Sequence, residues 1–466
     1  MQKNLIYDIH EKPKFPQMLI FALQQVLAIL AATILVPAII GNGMSQSAAL
    51  FGAGVGTLIY QLFTKFKSPV FLGSSFAFIG SMFAAFGGAA SISAGYAGLI
   101  IGAALAGCVY VVIAAIVKFA GVAWINKLMP AVVIGPTVAL IGLSLAVNAI
   151  NDLTVGKVMV EQTEQAIVNG AIVETTSFVS GCSPYVALVC GLVTMFSIFA
   201  ISVYGKKMAK LIPFILSIII GYVVASIFTV IGIATDNVAL QVINFDAFKN
   251  MQLFAVPDFS FIEAFKGVKE IDGAFIATVA VAYVPVAFVV FAEHIADHKN
   301  LSSIIGSDLL ENPGLHRTLL GDGVGSIAGA FFGGCPNTTY GESVGCVAIT
   351  RNASVITITT TAIMCMVISF FGPFVTFLSS IPNCVMGGVC IALYGFIAVS
   401  GLKMIQSVNL NENGNLFVVS SILIPGIGGL SLTFGKITIT TIACALILGI
   451  ISNLLLNKFR KSSNEA

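Results

Sequence analysis

Three acidic side chains lie in or near apolar stretches of this sequence, where a charge is costly. Glu293 and Asp297 are four residues apart, so a helix would present both on one face, and Glu342 follows in a later segment. A carboxylate in a poorly hydrated place must face a polar cavity, find a partner or take up a proton. Two carboxyl groups on one face cannot both be comfortably ionised, which suits a group that loads and releases a proton.

An alternative stays open for Asp297. Asp297 is close to the end of its predicted helix, beside Lys299, and would there be merely solvated. All other acids of the chain are expected in loops, tails or helix ends, where water accounts for them.

Two histidines in the same stretch raise the possibility of a metal site. His294 and His298 have the i, i+4 spacing of two zinc ligands on a helix, but the Glu precedes the first His instead of following it. No third ligand is obvious, because His10 and His316 belong to a tail and to a joint between spans. Interfacial or core histidines are therefore the better interpretation, and no metal or other cofactor is expected. The sequence also lacks a G-x-S-x-G elbow and a P-loop, so we predict that the protein is not an enzyme.

The elements that position these residues must be membrane helices. The 466 residues are 58% hydrophobic and 9% charged, with a mean hydropathy of +1.01, and so few charges cannot cover a water-facing surface of this size. A net charge of +2 leaves no dense basic face, so a nucleic-acid partner is not expected. Most of the nine cysteines sit in or beside apolar runs, which argues against a disulfide-built secreted module. The composition predicts an all-α polytopic protein whose partner is the lipid bilayer.

Apolar runs long enough to cross ~30 Å of hydrocarbon recur along the chain, and we count about fourteen. Three of them are weak because they are rich in Gly, Ser and Thr, namely 69–91, 317–334 and 336–350. The others are 17–40, 47–64, 95–119, 128–150, 184–204, 211–234, 272–296, 353–378, 382–405, 416–431 and 437–457.

The basic residues predict the orientation of these spans. When loops are assigned alternately to the two sides, all but five of the 22 Lys and Arg residues fall on the side of the N-terminus. The five exceptions are Lys157, Lys249, Lys266, Lys269 and Lys436. The positive-inside rule then puts both termini in the cytoplasm of a cell-membrane protein.

Two pairs of segments suggest an internal repeat. Pro69 and Pro336 each precede a Gly by a few residues at the start of the third and tenth spans, and Pro130 and Pro382 open the fifth and twelfth spans in the same way. Both offsets are seven spans, so the second half would be inverted. The third and tenth spans are also poor continuous helices, and irregular backbone at membrane depth is tolerated only where it is buried or lines a cavity. The alternative to an internal repeat is that these Pro and Gly residues recur by chance.

Four motifs in order resemble the nucleobase/ascorbate transporter family, and within it the bacterial uracil permeases. They lie between Gln17 and about Lys403, and are Gly73-Ser74-Ser75-Phe76-Ala77-Phe78, Ala292-Glu293-His294-Ile295, Pro336-Asn337-Thr338-Thr339-Tyr340-Gly341-Glu342, and Gly345 with Ala348-Ile349-Thr350-Arg351.

The resemblance implies the family's fold and the division of the chain. It implies fourteen segments in two inverted seven-segment repeats, with short strands in broken segments 3 and 10. A core domain would comprise 17–119 and 272–380, and a gate domain 128–234 and 381–457. Dimers are plausible for this fold, although the sequence offers no evidence for a homodimer.

The resemblance also implies residue roles. Glu293 and Glu342 would bind the substrate, Phe76, Tyr340 and Gly341 would line the site, and Tyr394 would be a neighbour on the gate side. Proton coupling would involve Glu293 and Asp297. The family usually has Asn at the position of Ser343, and uracil carriers can have His at the position of Asp297, so substrate preference and coupling are less directly implied.

The resemblance implies nucleobase uptake driven by protons, and the function that we expect is proton-coupled import of uracil or a closely related pyrimidine. A uracil ring offers two N–H donors and two carbonyl acceptors, which match carboxylates and the amide N–H groups of broken segments. A xanthine or purine carrier is the alternative within the class. An anion transporter on a similar inverted-repeat fold is a more distant alternative, and the membrane-embedded acids count against it.

Overall fold

The computed structural model describes residues 5–121, 130–168, 171–206, 208–249, 251–434 and 437–464. Lys127, Lys207 and Lys436, which contributed to the orientation argument, and the expected domain boundary at residue 128 lie outside these ranges.

The described chain is predominantly helical. Its helices are α1 (Phe15–Ile40), α2 (Gln46–Phe63), α3 (Ile79–Gly87), α4 (Ile92–Ala120), α5 (Ala131–Ser144), α6 (Ala146–Asp152), α7 (Pro184–Tyr204), α8 (Met208–Leu211), α9 (Pro213–Ala234), α10 (Ser260–Gly267), α11 (Gly273–Ile305), α12 (Leu315–Gly333), α13 (Gly341–Thr350), α14 (Val355–Ile368), α15 (Gly372–Ser380), α16 (Asn383–Gln406), α17 (Asn413–Ile427) and α18 (Thr441–Asn464). Within the described ranges seven helices, with α5 and α6 counted as one, are long and apolar enough to cross a membrane, and several shorter helices are also apolar.

Local sequence signals explain where the long helices begin and end. Ser91 and Asp272 accept hydrogen bonds from backbone N–H groups in the first turns of α4 and α11, at 3.1 and 2.7 Å. Proline occupies the first turn of α1, α7 and α9, where its missing N–H costs nothing. Gly306 ends α11 with a left-handed backbone (φ 67°), which glycine adopts without strain.

The chain divides into two compact units. The first comprises Met1–Ser144, Ala255–Phe371 and Gly395–Ala466, and contains α11, α12 and α13. The second comprises Leu145–Phe254 and Gly372–Tyr394. The second unit contains a hairpin of β2 (Met159–Val168) and β3 (Ala171–Ser180), for which the sequence analysis gave no prediction.

A glycine-lined interface brings α2 and α12 close together in the first unit. A Cβ atom on Gly52 would lie 2.6 Å from the Gly329 carbonyl oxygen, and one on Gly56 would lie 2.7 Å from that of Gly325. A Cβ on Gly329 would also lie 2.3 Å from the side chain of Asn337, whose amide donates to the Gly52 carbonyl at 3.3 Å. Because these glycines have no side chains, there is room for the side chain of Asn337. Its hydrogen bond to the Gly52 carbonyl holds the start of the segment that begins at Asn337.

The strands expected in the third and tenth segments are present and pair with each other. β1 (Leu72–Ser74) and β4 (Asn337–Thr339) are antiparallel, with Leu72 opposite Thr339, and all of their residues are buried. The pairing continues beyond the strands, because Tyr340 N donates to Phe71 O at 3.2 Å. The backbone N–H and C=O groups of these non-helical segments thereby find hydrogen-bond partners inside the protein. β5 (Leu432–Phe434) and β6 (Ile437–Ile439) form a separate short hairpin.

Candidate functional site

Helix α11 presents two pairs of polar side chains on two different faces. Glu293 and Asp297 are one helical turn apart, and His294 and His298 follow them by one residue each, which rotates the second pair by about 100°. The Glu293 side chain is exposed and that of Asp297 is half-buried. The two imidazoles are almost inaccessible, with exposed fractions of 0% and 1%. We call the first pair the carboxyl face and the second the histidine face.

The carboxyl face lies beside the start of α13. Glu342 is half-buried in the first turn of that helix and interacts electrostatically with both acids of α11. Thr339 Oγ1, at the end of β4, donates to Asp297 Oδ2 at 2.9 Å. Gly341 is exposed, and among the described residues outside its own helix a Cβ atom there would have Asp297 Oδ1 as its nearest neighbour, at 3.8 Å. Asp297 thus lies beside the exposed start of α13, with Glu342 in the first turn of that helix and Glu293 one turn away on α11, and such carboxyl groups can accept N–H donors from a ligand and share protons.

Two chain segments begin a helical turn directly after the paired strands. A short 3-10 turn, Phe76–Phe78, follows β1, and α13 follows β4 with Tyr340 O accepting from Val344 N at 3.1 Å. The first N–H groups of a helix have no partner within it, and they favour an acceptor oxygen or an anion. Phe76 is half-buried and Gly341 is exposed, so both lie at accessible starts of these turns. The backbone there supplies donors that complement the carboxylate acceptors.

The ring of Tyr340 lies across β1. A Cβ atom on Gly73 would be 2.3 Å from Tyr340 Cζ, and Tyr340 Oη donates to the Ser74 carbonyl at 2.8 Å. With 4% of its surface exposed, Tyr340 braces the strand pair in this structure. A direct ring contact with a substrate stays a prediction.

Ser343, which stands where the family usually has Asn, bonds to the backbone of the third segment. Its hydroxyl accepts from Phe71 N at 3.0 Å, and its carbonyl accepts from the Gln25 side chain at 3.3 Å. The residue is fully buried. In this chain the position therefore ties α13 to the residue before β1.

The histidine face bonds to a further acid, Asp322, which lies on α12. His294 Nδ1 lies 2.8 Å from Asp322 Oδ2, and His294 Nε2 lies 2.9 Å from Thr318 Oγ1. The Thr318 hydroxyl donates its hydrogen to Leu315 O at 3.0 Å, so it accepts from His294 Nε2–H. His294 Nδ1 and Asp322 Oδ2 are therefore joined by the other hydrogen bond of the imidazole ring.

His298 has its own partners. Its Nδ1–H donates to the His294 carbonyl at 2.8 Å, which leaves Nε2 as an acceptor. The Tyr60 hydroxyl lies 2.7 Å from that nitrogen and also 2.7 Å from Ser68 Oγ. These residues are buried, so the sequence-based interpretation of core histidines is confirmed.

The expectation that only three acids lie in or near spans is wrong. Asp322 is fully buried in the middle of α12. The surrounding Leu-Gly-Asp-Gly-Val-Gly stretch is so rich in glycine that it weakened the prediction of a span, and the acid was attributed to a helix end. Its glycine neighbours were the available signal, because they let α12 pack closely enough to bury it.

The structure does not support a metal site on the histidine face. All four imidazole nitrogens of His294 and His298 already have partners in the protein. Within the described ranges, no three His, Cys, Asp or Glu side chains are grouped as metal ligands would be. Tyr394 belongs to the second unit, where it is buried near the middle of α16, and its role at the site stays a prediction.

Comparison with known proteins gives a consistent result over nearly the whole chain. The sequence profile of a family described as "Permease family" matches residues 16–434. The uracil permease of Bacillus caldolyticus is 37% identical over 97% of this chain and 94% of its own length. That of Bacillus subtilis is 34% identical, covering 96% and 94%, and that of Escherichia coli K12 is 30% identical, covering 95% and 92%.

Solved structures of membrane transporters share the fold. The murine Slc26a9 anion transporter in its inward-facing state aligns with a TM-score of 0.65 and 12% identity, over 97% of this chain and 69% of that one. The transmembrane domain of the cyanobacterial bicarbonate transporter BicA aligns with a TM-score of 0.59 and 14% identity, over 96% and 100%. At these identities the likeness concerns the fold alone, and it agrees with a multi-pass membrane transporter.

Proposed function

The chain belongs to the permease family, as its motifs predict, and on that premise we propose that it imports uracil or a closely related pyrimidine nucleobase across the cell membrane. Import would proceed by alternating access and in symport with protons. Transport leaves the substrate chemically unchanged, so the proposal includes no enzymatic step and no cofactor. It also includes no nucleic-acid partner.

One observation carries this proposal most directly. Asp297 Oδ1 lies near the exposed Gly341 at the start of a helix that follows a strand, Glu342 is the next residue of that helix, and the exposed Glu293 is one turn from Asp297 on α11. The ring N–H groups of uracil need acceptors, and its carbonyl oxygens need donors. Carboxylates and the first backbone N–H groups of broken segments supply both kinds, as in other transporters with discontinuous helices.

The residue roles follow from this complementarity. Glu342 and Glu293 accept from the pyrimidine N–H groups, and the N–H groups near Phe76 and Gly341 donate to its carbonyls. Tyr340 lines the site, and Tyr394 is a neighbour on the gate side. Glu293 and Asp297 carry the coupled proton, because neighbouring acids disfavour each other's ionised forms.

The proposal includes the arrangement expected from the sequence. The chain would form fourteen spans in two inverted repeats, with 17–119 and 272–380 as the core domain and 128–234 and 381–457 as the gate domain. Both termini would be cytoplasmic, and a homodimer is possible for this fold.

A xanthine or purine carrier is the alternative, and an uptake experiment separates the two. Purified protein in liposomes, with an imposed inward proton gradient, should accumulate labelled uracil, and unlabelled xanthine should not compete. Collapse of the gradient with an uncoupler should stop accumulation. Absence of uracil uptake would leave the fold unaffected and would favour purines. Uracil uptake that does not depend on the proton gradient would contradict proton coupling. A gradient-independent flux of anions would favour the more distant alternative, an anion transporter.

A further inference from the structure

One side-chain hydrogen bond joins the strand pair to the carboxyl face. Thr339 Oγ1 donates to Asp297 Oδ2 at 2.9 Å. Thr339 is fully buried and lies opposite Leu72 in the strand pair, and a β-branched side chain has few χ1 rotamers. Its hydroxyl is therefore held at a fixed place and direction.

Resting on the proposed function, we propose that Thr339 is a positioning residue for proton coupling. Its hydroxyl holds the ionised Asp297 carboxylate in place at the site and so sets the pH range over which transport runs. A hydroxyl that donates to a carboxylate favours the ionised form over the protonated one.

The charges around Asp297 make this donor important. Glu293 is one turn away on the same helix, Glu342 lies in the first turn of α13, and Asp322 on α12 bonds to His294 of the adjoining face. All three are acids, and each disfavours a negative charge on Asp297. Thr339 opposes them, so its loss should bias Asp297 toward the protonated form.

The histidines of α11 do not replace this donor. His294 donates to Thr318 through Nε2, and its Nδ1 is bonded to Asp322. His298 Nδ1 donates to a backbone carbonyl, and its Nε2 faces Tyr60.

The neighbouring strand residue is a matched control. Successive residues of a strand point to opposite sides, and Thr338 Oγ1 is buried without a hydrogen-bond partner among the described residues. Thr338→Val and Thr339→Val remove the same atom from the same strand and keep the β-branched shape. Only the second removes a bond to Asp297.

The test is the pH profile of gradient-driven uracil uptake in liposomes for wild type, Thr339→Val, Thr339→Ser and Thr338→Val. Removing the donor makes Asp297 release its proton at higher pH, so the Thr339→Val profile should shift to alkaline pH by about one unit. The KM for uracil should change little. Thr339→Ser should restore the profile, and Thr338→Val should match wild type. A Thr339→Val profile that superimposes on wild type, or an equal shift in Thr338→Val, would overturn the inference.

A second measurement does not depend on the substrate. An infrared pH titration of the purified protein follows the carbonyl band of protonated carboxyl groups, and its difference from Asp297→Asn isolates the Asp297 contribution. In Thr339→Val this contribution should persist to higher pH. If wild type fails to take up uracil, the proposed function fails while this titration still tests Thr339. If wild type transports uracil and the Thr339→Val titration is unchanged, the inference alone fails.

Discussion

The two faces of α11 carry the same kind of i, i+4 pair but have opposite surroundings. On the carboxyl face, Glu293 is exposed and Asp297 is half-buried, beside the open space at Gly341. On the histidine face, both rings are buried and every ring nitrogen has a partner. A buried polar group must be hydrogen-bonded, whereas a group kept for a ligand must leave bonding capacity free. We therefore expect the histidine face to contribute to stability and, under the proposed function, the carboxyl face to bind the substrate.

The largest effect is expected from breaking the histidine face. Asp322→Leu leaves His294 buried with an unmatched Nδ1 and should lower the free energy of unfolding by roughly 3–5 kcal/mol. Thermal unfolding of the detergent-solubilised protein measures this loss. The double variant with His294→Phe removes both partners and should recover part of it. Wild-type stability in Asp322→Leu would contradict the division into two faces.

Glu342→Gln should weaken uracil binding with little loss of stability. An amide replaces a carboxylate acceptor by a group that is partly a donor, and a hydrogen bond to a charged group is worth about 1.5–3 kcal/mol, or about 10- to 150-fold in affinity. Calorimetric titration with uracil and the melting temperature together give both quantities. A variant that binds normally would remove Glu342 from the site.

Asp297→Asn should separate binding from coupling. The amide keeps the size of the side chain and an acceptor for Thr339, but it cannot exchange a proton at the site. We expect uracil affinity within about threefold of wild type and a loss of roughly tenfold or more in gradient-driven accumulation. Counterflow without a gradient is the control, because it requires binding and alternation but no net proton movement. Equal loss of counterflow would make Asp297 a binding residue only.

The smallest effect is expected from Tyr60→Phe. This change removes one hydroxyl from the histidine face but leaves Ser68 Oγ 3.4 Å from His298 Nε2. Stability should fall by about 1 kcal/mol, with unchanged uracil affinity. Chemical unfolding followed with an attached fluorophore measures the stability, and calorimetric titration with uracil measures the affinity. A change in affinity larger than the change in stability would mean that the two faces are energetically linked.

Much of the carboxyl face could be predicted from the sequence because an acid in an apolar run is conspicuous. Glu293, Asp297 and Glu342 stood out in this way. The poor helix formers of the third and tenth segments predicted irregular backbone there, and the family resemblance implied the short strands. Asp322 was missed because its glycine neighbours made the span weak, although those glycines are what permits close packing. Thr339 gave no signal of its own, since its importance comes from a contact between residues 42 positions apart.

The pairing of β1 with β4 was beyond sequence reasoning for a related reason. Each strand is three residues long, and a pattern of three residues specifies neither a partner nor a register. The side chain of Asn337 and the glycines of α2 and α12 fix that register in the folded protein. Such information resides in how helices pack, which a single sequence does not display.

The strand pair has a consequence for how the protein is made. Leu72 pairs with Thr339, so β1 has no partner until most of the chain has been synthesised. Contacts between such distant residues form late, because the cost of closing the intervening loop must be met first. The strand pair beside the candidate site thus forms only after residue 337 has been synthesised. A nascent chain halted before that residue has β1 without its partner strand.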